Sequence, residues 1–219
     1  MNKICLFSLT SFFGFLSTTN TLASNLIDIN VISEDVFLEK SNNKEPSITD
    51  NTDKSQVKVS IERQNGDLYI SSKGVKNSIS NAGQLIIHVP EGYEIKAKGM
   101  SSSFMVNFTC GDEIKVKSMS GDIRSNCLAK SQTHFESMNG DIRVSAVLAA
   151  GMHLLSSMSG DVDAILKNGS RGKVAATSEK GMVQINQERV SSGKLVKQIS
   201  ETDTALVAKT ISGDATIEF

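Results

Sequence analysis

Four aspartates directly follow glycines in similar short motifs, and a row of carboxylates could bind a divalent cation. The motif residues are Gly121, Asp122, Gly140, Asp141, Gly160, Asp161, Gly213 and Asp214. If the motifs stack, their carboxylates supply the oxygen ligands that Ca²⁺ requires. The alternative is that each aspartate caps its own turn and binds no metal. Carboxylates about 4.8 Å apart repel one another only weakly in water, so such a row does not need a cation. Met182 stands where the row should continue, so we expect turn residues here and no metal site.

The position two residues before each glycine is apolar. These residues form a candidate contact stripe of Met119, Met138, Met158 and Ile211. They alternate with the residues that begin the motifs, so in stacked strands the two sets point to opposite sides. An outward apolar stripe is typical of a protein contact surface. Two alternatives stay open: burial of these residues under a loop at a corner of the fold, and binding of Cu(I) by the soft thioethers.

The cysteines and histidines are candidate metal ligands and nucleophiles. Cys110 and Cys127 are 17 residues apart, so they could lie on adjacent rungs and form a disulfide, or could be two buried free thiols. His88, His134 and His153 do not have the spacing of a zinc site. The sequence shows no nucleophile elbow, phosphate-binding loop or paired acid and base. We therefore expect no catalytic residue, no metal and no cofactor.

The motif residues belong to a sequence repeat, which indicates the elements that position them. The segment Ser118-Met119-Ser120-Gly121-Asp122-Ile123 recurs in similar form from Ser137, from Ser157 and from Thr210. Glycines 121, 140, 160 and 181 are 19, 20 and 21 residues apart, and an insertion delays the last copy at Gly213. The copy around Gly181 is degenerate, and Gln64-Asn65-Gly66-Asp67 is an outlying early copy. Glycine that tolerates positive φ, beside Ser, Asn and Asp, predicts a turn in each copy.

Apolar and polar residues alternate on both sides of each turn, as they do in β-strands. Ile114 and Val116 precede one turn on a common face, and Ile142 and Val144 follow the next turn in the same way. One period of about 20 residues cannot bury its own apolar face, so neighbouring periods must stack. The repeat therefore predicts an all-β fold, a single-stranded β-helix or β-solenoid with coils of about 20 residues. A β-sandwich gives no reason for this period, and a propeller blade needs about 40 residues.

The chain divides into three predicted regions. Residues 1–23 have the features of a signal peptide: Lys3, an apolar run, and small residues that end at Ala23. Residues 24–56 are predicted to form an N-terminal cap strand and a polar flexible loop, and residues 57–219 the solenoid. No later stretch is apolar over the 18 or so residues of a membrane span. We expect an exported protein of the periplasm, the cell envelope or the extracellular space.

The run from Leu85 to Gly92 is an apolar strand that ends in Pro-x-Gly, and the serial Ser-Gly-Asp-Ile copies follow it. Together these features resemble the bacterial putative adhesin domain, a family of unknown function with a β-helical repeat architecture. The resemblance covers roughly Val57 to Phe219. It implies a surface or envelope location and a role in adhesion, and it brings no catalytic residues. The degenerate copy at Gly181 and the insertion before Gly213 depart from the pattern, so we expect less regular stacking in the last coils.

Charge and composition narrow the choice of partner. The chain has 23 basic and 24 acidic side chains, no Trp and two Tyr. Nucleic acid is not expected, because its binding requires a basic field, and aromatic platforms for stacking are scarce. We predict a non-enzymatic exported scaffold that presents a repetitive face to another envelope protein, to a second copy of itself or to a glycan. The alternative is a carbohydrate-active β-helix enzyme acting on a polysaccharide, which is an analogy of fold alone.

Overall fold

The computed structural model describes residues 25–75, 82–108 and 110–219, which form twenty β-strands in two sheets of ten, A and B. In this part of the chain no helix could cross a membrane. Sheet A contains β1 (Leu26–Val31), β4 (Val57–Gln64), β5 (Asp67–Gly74), β7 (Glu94–Gly99), β9 (Glu113–Ser118), β11 (Gln132–Ser137), β13 (Met152–Ser157), β15 (Lys173–Ser178), β18 (Gly193–Gln198) and β19 (Ala205–Thr210). Sheet B contains β2 (Asp35–Lys40), β3 (Ser47–Thr52), β6 (Gly83–Val89), β8 (Phe104–Asn107), β10 (Ile123–Ser125), β12 (Ile142–Ala146), β14 (Val162–Leu166), β16 (Val183–Ile185), β17 (Glu188–Val190) and β20 (Ala215–Glu218).

A coil consists of one strand of sheet A, a short corner and one strand of sheet B. The inward side chains of its two strands meet in an apolar core that continues from coil to coil. Equivalent residues of neighbouring strands are in register, as where Ile123 pairs with Phe104 on one side and with Ile142 on the other. All three of these side chains are buried. Burial of each such side chain stabilises the fold by roughly 1.5–3 kcal/mol, and this is why the alternating pattern produces the stack.

Coils in the middle of the stack follow chain order. In sheet A, β7, β9, β11 and β13 are consecutive neighbours, and in sheet B, β8, β10, β12 and β14 are. All of these pairs are parallel. The all-β class and the stacking of coils about 20 residues long are thus confirmed.

Coils at both ends are out of chain order. The first coil, β1 and β2, lies between β5/β6 and β7/β8, and the last coil, β19 and β20, lies between β13/β14 and β15/β16. The expectation that successive rungs stack strictly in sequence is therefore wrong at the ends. The insertion before Gly213 forms the edge strands β17 and β18, after which the chain returns and the last coil pairs in parallel on both sides.

The outermost strands are antiparallel to their neighbours. At the N-terminal end β4 pairs with β5 and β3 with β6, and at the C-terminal end β18 pairs with β15 and β17 with β16. The turn between β4 and β5 is the two-residue hairpin Asn65-Gly66, in which both residues have positive φ. This segment is therefore a hairpin turn and not an early copy of the corner motif.

The polar segment from Lys40 to Ser55 contains a strand. Its residues Ser47–Thr52 form β3, which covers the edge of β6. The polar composition that suggested a flexible loop suits an edge strand, since one face and one side of it remain in solvent. Strands β1 and β2 are likewise interior members of the two sheets and not a cap. The predicted signal peptide, residues 1–23, lies outside the described residues.

Candidate functional site

The first residue of each corner motif is a buried hydroxyl that links two coils. Ser137 Oγ donates to the carbonyl oxygen of Gly121 at 3.1 Å and accepts from the N–H of Gly140 in its own corner at 2.8 Å. The same pair of bonds is formed by Ser118, Ser157, Thr210 and Ser178. A hydroxyl can both donate and accept, and this is why Ser or Thr stands here.

The glycines are required by close approach and not by positive φ. Gly121, Gly140, Gly160, Gly181 and Gly213 are absent from the set of positive-φ residues. A Cβ on Gly140 would lie 2.2 Å from the carbonyl oxygen of Gly121, and one on Gly160 would lie 2.2 Å from that of Gly140. The glycine contacts also give the order of the stack: Gly213 packs on Gly160, and Gly181 packs on Gly213.

Each motif aspartate caps the neighbouring coil and not its own turn. Asp122 Oδ1 accepts from the N–H of Asp141 at 3.0 Å, and Asp141 Oδ1 accepts from that of Asp161 at 3.0 Å. Asp161 accepts from the N–H of Asp214 at 2.8 Å. Because the last coil returns to this place, the row is unbroken, and Met182 ends it by donating its N–H to Asp214 at 2.8 Å. The expectation that Met182 interrupts the row is wrong.

The candidate contact stripe lies on the outer surface of these corners. Met119, Met138 and Met158 are 43%, 42% and 39% exposed, and Ile211 is half-buried. Backbone hydrogen bonds from the residue after each stripe position place them on consecutive rungs: Asn139 N–H donates to Met119 O, Ser159 to Met138 O and Ser212 to Met158 O. The exposures are those of surface side chains, so the alternative of burial under a loop does not hold for the three methionines.

Two further residues extend the stripe. The N–H of Ser120 donates to Met100 O, and the N–H of Ser101 donates to Ile32 O. Met100 and Ile32 therefore occupy the same corner position as the stripe residues. The methionine ladder, as we name it, consists of Ile32, Met100, Met119, Met138, Met158 and Ile211. The repeat does not reveal Ile32 and Met100, because Glu34 and Ser102 replace the motif glycine in their coils. The remnant Ile32-Ser33-Glu34-Asp35-Val36 was the available signal.

A groove of about 580 Å³ crosses the outer face of sheet B. Met105 and Ile165 supply exposed apolar side chains, and Arg124, Arg143 and Asp163 supply charges. Arg143 Nε lies 3.5 Å from Asp163 Oδ2. Burial raises the pKa of Asp163, and Arg143 partly opposes this shift. Because charges of both signs line the groove, it has no single-sign field to attract a ligand.

Cys110 and Cys127 form a disulfide with a Cα–Cα distance of 5.8 Å. It joins the segments that follow β8 and β10, which are neighbours in sheet B. Of the histidines, His88 and His134 are half-buried on strand surfaces, and His153 is buried in the core. His153 Nε2 lies 2.6 Å from the carbonyl oxygen of Ala150, and burial lowers the pKa of its ring. Within the described ranges, no three His, Cys, Asp or Glu side chains are grouped as a metal site.

Comparison with known proteins identifies the family of this chain. A family model described as Toastrack DUF4097 matches residues 24–158 and, in a second match, residues 111–218. Among solved structures, a putative cell adhesion protein from Clostridium sporogenes ATCC 15579 is 12% identical with a TM-score of 0.49, over 89% of this chain and 92% of that one. A putative adhesin from Bacteroides fragilis NCTC 9343 is 14% identical with a TM-score of 0.47, over 89% and 91%. No curated protein matches the chain.

Proposed function

This chain belongs to the Toastrack DUF4097 family, and from that premise we propose that it is a non-enzymatic, exported scaffold that binds a protein partner of the cell envelope. The binding surface is the methionine ladder. The observation that carries the proposal is the unbroken column of six apolar residues on the outer surface of the corners.

The roles of the motif residues support a binding surface at this place. The serine and aspartate side chains hold adjacent coils together, and the glycine permits their close approach. Among the first five residues of the motif, the second residue carries an apolar side chain that points outward. A large apolar residue there does nothing for the core, so an interaction surface is its simplest physical use.

The dimensions of the ladder also suit a protein contact. Six rungs at about 4.8 Å spacing give a straight apolar strip about 24 Å long. The strip is held by backbone hydrogen bonds on every rung, so a partner binds it with little ordering of the backbone. Flexible methionine side chains adapt to an apolar surface of a partner, whereas sugars favour aromatic platforms, which are scarce in this chain.

Export is supported by two features. The N-terminal 23 residues have the composition of a signal peptide, and Cys110 is bonded to Cys127. Disulfides persist in oxidising compartments such as the periplasm and the cell surface.

An affinity capture experiment tests the proposal. The purified protein, immobilised, is incubated with envelope extract, and captured proteins are identified by mass spectrometry. Replacement of Met119, Met138 and Met158 by Gln should abolish capture of a defined partner while melting temperature is maintained, since the three side chains are exposed. Met152→Gln is the matched control, because this methionine is 69% exposed but lies outside the ladder. Equal capture by the triple variant and the wild-type protein would exclude the ladder as the binding surface.

A further inference from the structure

The identity of the ladder residues calls for an explanation beyond apolar contact. Four of the eight methionines of the chain, Met100, Met119, Met138 and Met158, occupy one corner position on four consecutive rungs. Leucine or isoleucine would provide a similar apolar area. The property that methionine adds is a thioether sulfur, a soft ligand that selects Cu(I) over hard cations and over ions that prefer nitrogen or oxygen.

We propose that the methionine ladder binds Cu(I) through the thioether sulfurs of consecutive methionines. The inference goes beyond the proposed protein contact and does not depend on it. Both uses can share the surface, since a bound monovalent ion and a docked partner engage the same side chains at different times or through different rungs.

Ladder geometry allows two or three sulfurs to meet one ion. The N–H of Ser120 donates to Met100 O at 2.9 Å, and the N–H of Asn139 donates to Met119 O at 3.1 Å, so the backbones of successive rungs are in direct contact. Equivalent positions on adjacent rungs are therefore about 4.8 Å apart. Each sulfur lies beyond several rotatable bonds of an unbranched side chain, so neighbouring sulfurs can turn toward a common point. Exposures of 39–54% leave these side chains free to do so.

Other soft or borderline ligands in the described part of the chain are not grouped in this way: the half-buried His88 and His134 lie singly on β6 and β11. Cys110 and Cys127, which would otherwise be the strongest ligands for Cu(I), are joined in a disulfide. His153 is 3% exposed, and its Nε2 is engaged with Ala150. The thioether row is thus the largest grouping of soft ligands that the structure brings together.

Electrostatics at the corners are compatible with a monovalent cation. The carboxylates of Asp122, Asp141 and Asp161 follow three residues after the methionines of their own coils and keep one carboxylate per coil at this edge. Arg124 and Arg143 partly offset this charge through ion pairs at 3.1 and 3.2 Å. A singly charged soft ion needs less charge compensation than Ca²⁺ or Zn²⁺, so the ladder does not require carboxylate ligands.

Competition for Cu(I) under anaerobic conditions tests the proposal. The disulfide-intact protein is titrated into a chromophoric Cu(I) chelator with ascorbate as the reductant, and transfer of the ion is followed by absorbance. We expect the wild-type protein to withdraw Cu(I) and the Met119→Leu/Met138→Leu variant to bind at least about tenfold more weakly, because leucine conserves volume and removes sulfur. Met152→Leu, outside the ladder, should bind as the wild type does. In protein labelled at the methionine methyl groups, Ag(I) should shift the ladder methyl resonances and not that of Met152.

Three outcomes would overturn the proposal: no withdrawal of Cu(I) by the wild-type protein, unchanged binding by the double variant, or an equal loss in Met152→Leu. The melting temperatures of all variants show whether a loss reflects unfolding. The test is separate from that of the proposed function, because the leucine variants keep the apolar surface and should still capture a protein partner. A leucine variant that loses Cu(I) binding and still captures the protein partner would show that the two roles are separate.

Discussion

The middle coils, β7 to β14, and the two ends of the stack differ in how their backbone groups find partners. Every middle coil has a parallel neighbour on both sides, and the four middle coils follow one another in chain order. At the C-terminal end the chain moves outward to β15 and β16, forms two antiparallel edge strands, and returns to fill the place beside the middle coils. At the N-terminal end the same places are filled in the reverse order: β1 and β2 beside the middle coils, then the antiparallel edge strands β3 and β4, then β5 and β6 between them. The two ends are thus built on one plan in opposite chain directions, although their sequences are unlike.

This difference shows what a repeat can and cannot provide. A motif whose serine, glycine and aspartate all contact a neighbouring coil works only where that neighbour exists. An exposed edge would invite pairing with another chain, and charged edge strands discourage this. Lys58, Glu62 and Arg63 lie on β4, and Lys194 and Lys197 lie on β18. Each end is also tied across its two sheets, by Arg63 to the carbonyl oxygen of Pro46 and by Lys197 to Glu188.

The largest effect is expected where the coils approach most closely. Gly140→Ala should lower the free energy of unfolding by at least about 3 kcal/mol, because the new Cβ would collide with the Gly121 carbonyl and separate two middle coils. Gly169→Ala is the control: this loop glycine has φ of +92° and nothing within 4 Å of a new Cβ. It should lose about 1–2 kcal/mol from backbone strain alone. Chemical denaturation measures both, and equal losses would show that close approach does not explain the motif glycine.

The disulfide should stabilise the middle of the stack more than its ends. Replacing both Cys110 and Cys127 by Ser should cost about 3 kcal/mol, because the bond closes a loop of 17 residues in the unfolded chain. Amide hydrogen exchange in the double variant should be faster than in the wild-type protein in β8 to β11, and should change less in β17 and β18. The reduced wild-type protein should behave like the double variant. A uniform change along the whole stack would mean that the middle and the ends unfold as one unit.

Asp161 tests the junction between the middle coils and the returning last coil. Asp161→Ala should cost about 0.5–2 kcal/mol, since the N–H of Asp214 loses the acceptor that lies 2.8 Å from it. Asp161→Asn keeps an oxygen acceptor and should cost less. Amide exchange at Asp214 is the direct measurement. If the amide of Asp214 exchanges equally fast in the wild type and in Asp161→Ala, the carboxylate does not secure this junction.

The smallest effect is expected for the dependence of stability on pH, through a buried histidine of the last middle coil. Burial holds the pKa of His153 below its ordinary value of 6.5, and its inward neighbours on adjacent rungs are the uncharged Thr133 and Leu206. Because the unfolded chain binds a proton more readily than the folded one, stability should fall as pH drops below about 6.5, by at most about 1.4 kcal/mol per pH unit.

Gln at position 153 does not titrate and can still donate to Ala150, so the stability of His153→Gln should depend less on pH below about 6.5. Thermal unfolding of the two proteins at matched pH values makes the comparison. Parallel pH profiles would show that His153 is protonated alike in the folded and unfolded states.

Sequence periodicity was sufficient for the middle of the stack and insufficient for its ends. The alternation around Gly121, Gly140 and Gly160 indicates two strands and one corner per coil, and the structure has them. It cannot show that the coil with Gly213 lies between those with Gly160 and Gly181, because parallel pairing in either order buries similar side chains. The polar composition of the segment that contains β3 predicts a loop for a related reason: edge strands need little apolar patterning.

The candidate site divides in the same way. The repeat showed that Met119, Met138, Met158 and Ile211 are equivalent residues on one face. Ile32 could not be recognised, since its coil has Glu34 in place of glycine, and the Glu34 carboxylate accepts from the N–H groups of Ile32 and Ser33. The structure was also needed to show that the methionines of the stripe are exposed and not covered by a loop.

By itself the sequence determined the strand period, the corner residues and the outward apolar position, because these depend on local alternation and on side-chain size and hydrogen bonding. Only the tertiary structure decided the order of the coils, the partner that each aspartate caps and the reason for each glycine. These depend on which coil lies next in space, and two chain segments can be neighbours in the stack whatever their separation in sequence.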